Sequence, residues 1–140
     1  METVKKMNKW ANAHTYLAID LLRIAFGMFL FMKGIYFVSN AHYLEELLSP
    51  IDRFGGGMFL LHYIAPAHMI GGIMIVFGLL TRWATGSQLP ILLGAVFINV
   101  LGTRTSESLL VALIALLLCI FFFIYGSGKH SADYYFKMNQ

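Results

Sequence analysis

The sequence predicts an all-α membrane protein. It is read as a bundle of four transmembrane helices, with both termini cytoplasmic and one long extracytoplasmic loop between helices 1 and 2. Three observations carry that reading. First, four apolar runs, at 16–38, 58–80, 84–101 and 109–125, each approach the roughly 20 residues a helix needs to cross a bilayer. Second, 59% of the 140 residues are hydrophobic and 12% are charged, about half the charged share of an ordinary soluble domain, and the mean hydropathy is +0.71. A chain this short has too much surface to hide so much apolar area from water. Third, the runs are long and lack period-2 alternation, which selects helix over strand. The length permits one domain, spanning 1–140.

The elements follow in order. Residues 1–13 are polar and basic, as in the head of a signal peptide. The run behind them is longer than the about 7–15 residues of a signal core, and no small-x-small site precedes the next loop, so it reads as a retained first helix. The loop 39–57 holds His42-Tyr43-Leu44-Glu45-Glu46-Leu47-Leu48, a short amphipathic helix ended by Pro50, and then the breaker Gly55-Gly56-Gly57. Pro66 opens or kinks the second helix, and Pro90 kinks the third or delays its start. Thr81-Arg82-Trp83 reads as a tight link that makes helices two and three a hairpin. Residues 102–108 form another short link, with Ser106 as N-cap of the fourth helix and Glu107 in its first turn. Short links make sequential helices antiparallel neighbours.

Lys and Arg in the flanks set the orientation. Lys5, Lys6, Lys9, Arg82, Lys129 and Lys137 fall on one side, Arg53 and Arg104 on the other. The bias places both termini in the cytoplasm. Trp10, Trp83, Tyr16, Tyr63 and Tyr125 lie near helix ends, as an aromatic belt requires.

Several functions lose support. A net charge of +3, with no basic stripe interleaved with aromatics, does not suit nucleic acid. Cys119 is the single cysteine, which excludes dithiol chemistry within the chain and reads as packing. There is no nucleophile triad, phosphate loop, H-E-x-x-H or Cys/His constellation, so no catalytic residue and no metal ligand is assigned.

Ionisable groups inside the spans are the functional candidates, because their burial in lipid is costly. Arg23 shares a helix stripe with Gly27, Leu30 and Gly34. It either snorkels to the headgroups beside Asp20 or pairs with a group from the chain's tail. Lys33 snorkels outward, or is a cation in a polar pocket under the long loop, facing Glu45, Glu46 or Asp52. His68 lies on a stripe with Gly71, Gly72, Ile75, Gly78 and Arg82. It is either a hydrogen-bonded interior histidine or a group that binds metal or haem, contacts a quinone or shuttles protons. His62 is expected at the interface, and Asn99 as an interhelical hydrogen bonder. Lys33, His68, Asn99, Arg104, Glu107 and the loop acids are expected at one depth, near the outer face.

The sequence resembles the DoxX family of small membrane proteins. The residues that carry the resemblance are Leu21-Leu22-Arg23-Ile24-Ala25-Phe26-Gly27 with Lys33-Gly34, and Ala67-His68-Met69-Ile70-Gly71-Gly72-Ile73 with Phe77-Gly78-Leu79-Leu80-Thr81-Arg82. After the fourth helix, Tyr125-Gly126-Ser127-Gly128-Lys129-His130-Ser131-Ala132-Asp133 looks like the family's G-x-G-basic-x-S-x-D ending. His68 stands where the family often has Glu, and Lys33 where it often has His. The resemblance implies a four-helix bundle, mostly in bacterial inner membranes, and relatives linked to quinone-coupled sulfur oxidation.

The expected function is a non-catalytic subunit or accessory factor of a redox-linked membrane complex. The alternatives are a quinone- or haem-binding oxidoreductase subunit like thiosulfate:quinone oxidoreductase, and a small-solute or proton pathway. Whether the chain is an enzyme is left open. The cofactor is also open, with a quinone as one option. His68, Lys33 and Asn99 are the cofactor-binding candidates. Arg23, Arg82 and Asp133 are structural polar residues, with Gly126 and Gly128 turning the tail back so that Asp133 reaches Arg23 or Arg82. The expected partners are the bilayer and another membrane protein or a second copy, not nucleic acid.

Overall fold

The computed structural model describes residues 6, 9, 16–42, 45–46, 57–101 and 106–138, apart from the side chains of 57–61, 101, 106, 137 and 138. The described part holds α1 (Leu17–Ser39), α2 (Gly57–Phe77), α3 (Thr81–Leu101), α4 (Ser106–Tyr125) and a short α5 (Ala132–Met138), with no strand among these residues. Leu17–Ser39, Thr81–Val100 and Glu107–Tyr125 are each long and apolar enough to cross a bilayer. The apolar stretch His62–Phe77 of α2 is a fourth candidate span. Of the expected loop helix, 43, 44, 47 and 48 lie outside the described residues, while 41, 42, 45 and 46 are helical. Arg53, Arg104 and Asp52 also lie outside them.

The turn between α2 and α3 comes earlier than the sequence suggests. It occupies 78–80, and Thr81-Arg82-Trp83 is the first turn of α3 instead of a link. The cause is local. Gly78 takes φ 68°, its N–H donates to the Ile75 carbonyl at 3.2 Å, and the Leu79 N–H donates to the Met74 carbonyl at 2.8 Å. That pair of bonds is the Schellman termination, which needs a left-handed residue where glycine is cheapest. Pro90 does not delay α3, which starts nine residues before it; α2 likewise runs through Pro66. α4 ends at Tyr125 because Gly126 takes φ 85° and its N–H closes on the Phe122 carbonyl at 2.8 Å.

The helices run antiparallel in sequence order. α1 and α2 approach backbone to backbone: a Cβ added to Gly27 would lie 2.7 Å from the Gly72 carbonyl oxygen, and one added to Gly72 would lie 2.7 Å from that of Gly27. Small residues let helices close this far where lipid offers no hydrophobic drive. α3 packs on α2 through Gln88, whose Nε2 donates to the Ala67 carbonyl at 2.6 Å in a notch left by Gly71. α3 packs on α4 where Cys119 Sγ donates to the Thr85 carbonyl at 3.2 Å. α1 and α4 touch over a short stretch only, where the Phe26 and Phe122 rings stack at 6.1 Å. Leu30, Ile75, Cys119 and Phe122 fill the centre and are essentially inaccessible.

Candidate functional site

The polar side chains gather at the two ends of the bundle. At the end holding the start of α1 and the tail, the described part forms a clasp. Arg23, 2% exposed, donates from Nη2 to the His130 carbonyl at 3.0 Å and from Nη1 to the Ile75 carbonyl at 3.4 Å. Asp20, one turn before it, lies 3.8 Å from the guanidinium and 2.8 Å from His130 Nδ1. Arg82 donates from Nη2 to the Ile124 carbonyl at 3.1 Å.

Asp133 takes a different partner from the expected guanidinium. Its carboxylate accepts the Leu80 N–H at 2.7 Å and the Thr81 N–H at 3.1 Å, and its own N–H donates to the Gly78 carbonyl at 3.0 Å. No ion pair within 4.0 Å joins it to Arg23 or Arg82, although its charge acts on both guanidinium groups. The first N–H groups of a helix have no partner within it, and a carboxylate there also meets the positive end of the helix dipole. Asp133 therefore caps α3 from 52 residues away in sequence, and Arg23 donates instead to the His130 and Ile75 carbonyls. Ser131 places it: the Ser131 hydroxyl donates to the Gly128 carbonyl at 2.7 Å and accepts the Tyr134 N–H at 3.2 Å, starting α5.

At the opposite end a cavity of about 320 Å³ opens among all four long helices. Lys33 from α1, His68 from α2, Asn99 from α3 and Glu107 from α4 line it together, with Phe29 and Phe37 among its apolar walls. The three cofactor-binding candidates thus share one cavity wall, joined by Glu107; Arg104 and Asp52 lie outside the described residues. The size is at the lower end of the ~300–1,000 Å³ typical of ligand sites.

Each polar group is held in a defined way. His68 is 4% exposed, its ring stands edge-on to Phe37 with centroids 5.7 Å apart, and it also meets the Ile64 carbonyl one turn back. Asn99 Nδ2 donates to the Ala95 carbonyl one turn back at 2.7 Å. That bond uses one of the two amide N–H donors and leaves Oδ1 buried without a partner. Lys33 Nζ lies 5.8 Å from the Phe29 ring centroid and 5.9 Å from that of Tyr36, within cation–π range.

Sequence reasoning missed a row of buried polar groups on α3. Thr81, Thr85 and Gln88 are fully buried, and they stand at i, i+4 and i+7, a spacing that puts them on one helix face. Asn99, eighteen residues after Thr81, returns to the same face. The signal was present in the spacing, but short polar residues in a span read as neutral to packing. His130 and Asp20 as a pair also had no sequence signal, because 110 residues separate them.

No curated protein and no solved structure matches this chain. The DoxX family model matches residues 18–100, from the buried Asp20–Arg23 turn to one residue past Asn99, and on that match this integral membrane protein belongs to the DoxX family.

Proposed function

We propose that this protein is a membrane subunit of a redox-linked complex, and that it contributes a cavity for the ring of a membrane-borne quinone. The observation that carries the proposal is that Lys33, His68 and Asn99, from three different helices, line one cavity together with the rings of Phe29 and Phe37.

The residues present fit such a ligand. A quinone ring is a flat apolar disc with oxygens at its edge. Phe29, Phe37, Leu92 and Val111 supply apolar wall, while Lys33, His68 and Asn99 supply hydrogen-bonding groups. The cavity continues the seam between α1 and α4 beyond the Phe26–Phe122 stack. That seam is where these two helices make least contact, so a ligand with an apolar tail has a route from the lipid. When bound, a quinone would supply two-electron chemistry that the side chains lack. Lys33 and His68 would hold its oxygens and orient its ring.

A haem fits less well, since neither a methionine nor a second histidine is among the described lining residues. A solute or proton pathway draws no support from the packed layer of Leu30, Ile75, Cys119 and Phe122 between cavity and clasp. The flanking Lys and Arg residues support a cytoplasmic clasp and an outward-facing cavity, and the family membership supports a bacterial inner membrane.

Photolabelling tests the proposal. An azido-quinone in membranes carrying the protein should tag peptides covering 29–37 or 107–115, and excess duroquinone should suppress the tag. Labelling confined to the lipid-facing residues Leu117 and Ile124 would contradict it.

A further inference from the structure

We infer that the mouth of the cavity binds the headgroup of an ethanolamine phospholipid, with Lys33 on the phosphate and Glu107 on the ammonium. This binding needs only the cavity and stands apart from the quinone reading.

Two opposite charges face one space from different helices. Lys33 on α1 and Glu107 on α4 both line the cavity, yet among the described residues no ion pair within 4.0 Å joins them. The Phe29 and Tyr36 rings beside the Lys33 ammonium attract its charge but accept no conventional hydrogen bond. Glu107 is exposed and sits in the first turn of α4.

The depths of the two charges match a phospholipid. Counted from the Phe26–Phe122 stack at 1.5 Å per residue, Lys33 lies about 10 Å and Glu107 about 22 Å toward the cavity end. The group that binds an anion is therefore the deeper one, and the group that binds a cation is nearer the surface. In a phospholipid the phosphate lies next to the acyl chains and the amine further out. A lysine reaching toward the surface and a carboxylate at the rim bracket both charges of one headgroup. The acyl chains follow the α1–α4 seam, where those helices touch over a short stretch. Phe29 and Val111 wall it, and Val111 is 41% exposed, so the cavity borders the lipid.

The carboxylate selects a primary amine. Ammonium N–H groups give it charge-assisted hydrogen bonds. A choline headgroup carries the same charge without an N–H, and a glycerol headgroup offers neutral hydroxyls. Headgroup and quinone ring both use Lys33, so one excludes the other.

Retention of lipid tests this. The protein is reconstituted in vesicles of equal parts phosphatidylethanolamine and phosphatidylglycerol with matched chains, re-extracted in mild detergent, and its bound lipid counted by mass spectrometry. The expected ratio favours phosphatidylethanolamine about fivefold, the gain of a charge-assisted over a neutral hydrogen bond. Phosphatidylcholine in its place should show no such preference. Glu107→Gln should abolish the preference, and Lys33→Gln should lower retention of both lipids. A bulk ratio in the wild type, a preference that persists with phosphatidylcholine or in Glu107→Gln, or unchanged retention in Lys33→Gln would overturn the inference. Displacement by soluble glycerophosphoethanolamine would assign the site to a water-borne zwitterion and overturn the lipid as occupant. Should either variant fail to fold, the wild-type comparison of ethanolamine with choline lipid decides alone.

Discussion

The Asp133 carboxylate accepts the Leu80 N–H at 2.7 Å, and Leu80 holds φ 44°. Among the described residues Leu80 is the non-glycine residue in the left-handed region, a conformation that costs about 1–2 kcal/mol for a side chain with a Cβ. The tail therefore fastens onto the most strained point of the α2–α3 turn. Two variants separate strain from capping.

Asp133→Ala removes both acceptors and should cost about 1–3 kcal/mol, seen as a lower Tm in mild detergent. Leu80→Gly relieves the strain while keeping the N–H, and since Leu80 is 56% exposed little packing is lost. It should be neutral or raise stability by up to about 1 kcal/mol. A clear loss in Leu80→Gly would show that the turn is held by the leucine side chain and not by its backbone.

Gly27 and Gly94 make a matched pair. A Cβ on Gly27 meets backbone atoms of α2 at 2.7–2.8 Å, whereas one on Gly94 meets nothing within 4 Å. Gly27→Ala must push two helices apart and should cost about 1–3 kcal/mol. Gly94→Ala should be neutral or slightly stabilising through helix propensity. Unfolding of both variants in SDS titrations checks the contrast, and equal effects would be inconsistent with the close α1–α2 approach.

Much of this was legible in the sequence, for physical reasons. Hydrophobic length located the spans within three residues at each end, because the bilayer fixes that length. The stripe Arg23, Gly27, Leu30, Gly34 faces the bundle as helical periodicity requires, and all four are buried. The α2–α3 turn was misplaced because Leu79 and Leu80 are apolar and extend the run, while Gly78 ends the helix through its backbone. The hydrogen-bond partners of Asp133 were not foreseen because charge suggests charge. The unmet need at that end was the amide pair of a helix N-terminus, which no residue type advertises.

Arg23 and Asp20 permit a double-mutant test. Both side chains are under 10% exposed, so removing Arg23 leaves a buried Asp20 with His130 as its remaining partner. Arg23→Met should cost about 3–5 kcal/mol, and adding Asp20→Asn should recover part of that loss. Reversible unfolding in mixed micelles would measure the coupling. Strictly additive effects would mean that Arg23 acts through the His130 and Ile75 carbonyls alone.

The central claim, that the Lys33–His68–Asn99 cavity holds a quinone, is tested most directly by an oxidised-minus-reduced absorption spectrum. The measurement uses protein extracted in mild detergent, with His68→Leu prepared alongside. The account predicts an ultraviolet quinone difference band in the wild type, present on purification or restored by added quinone, and a much weaker band in folded His68→Leu. A wild-type spectrum that stays flat after quinone is added back, or a band of equal strength in both proteins, would contradict it.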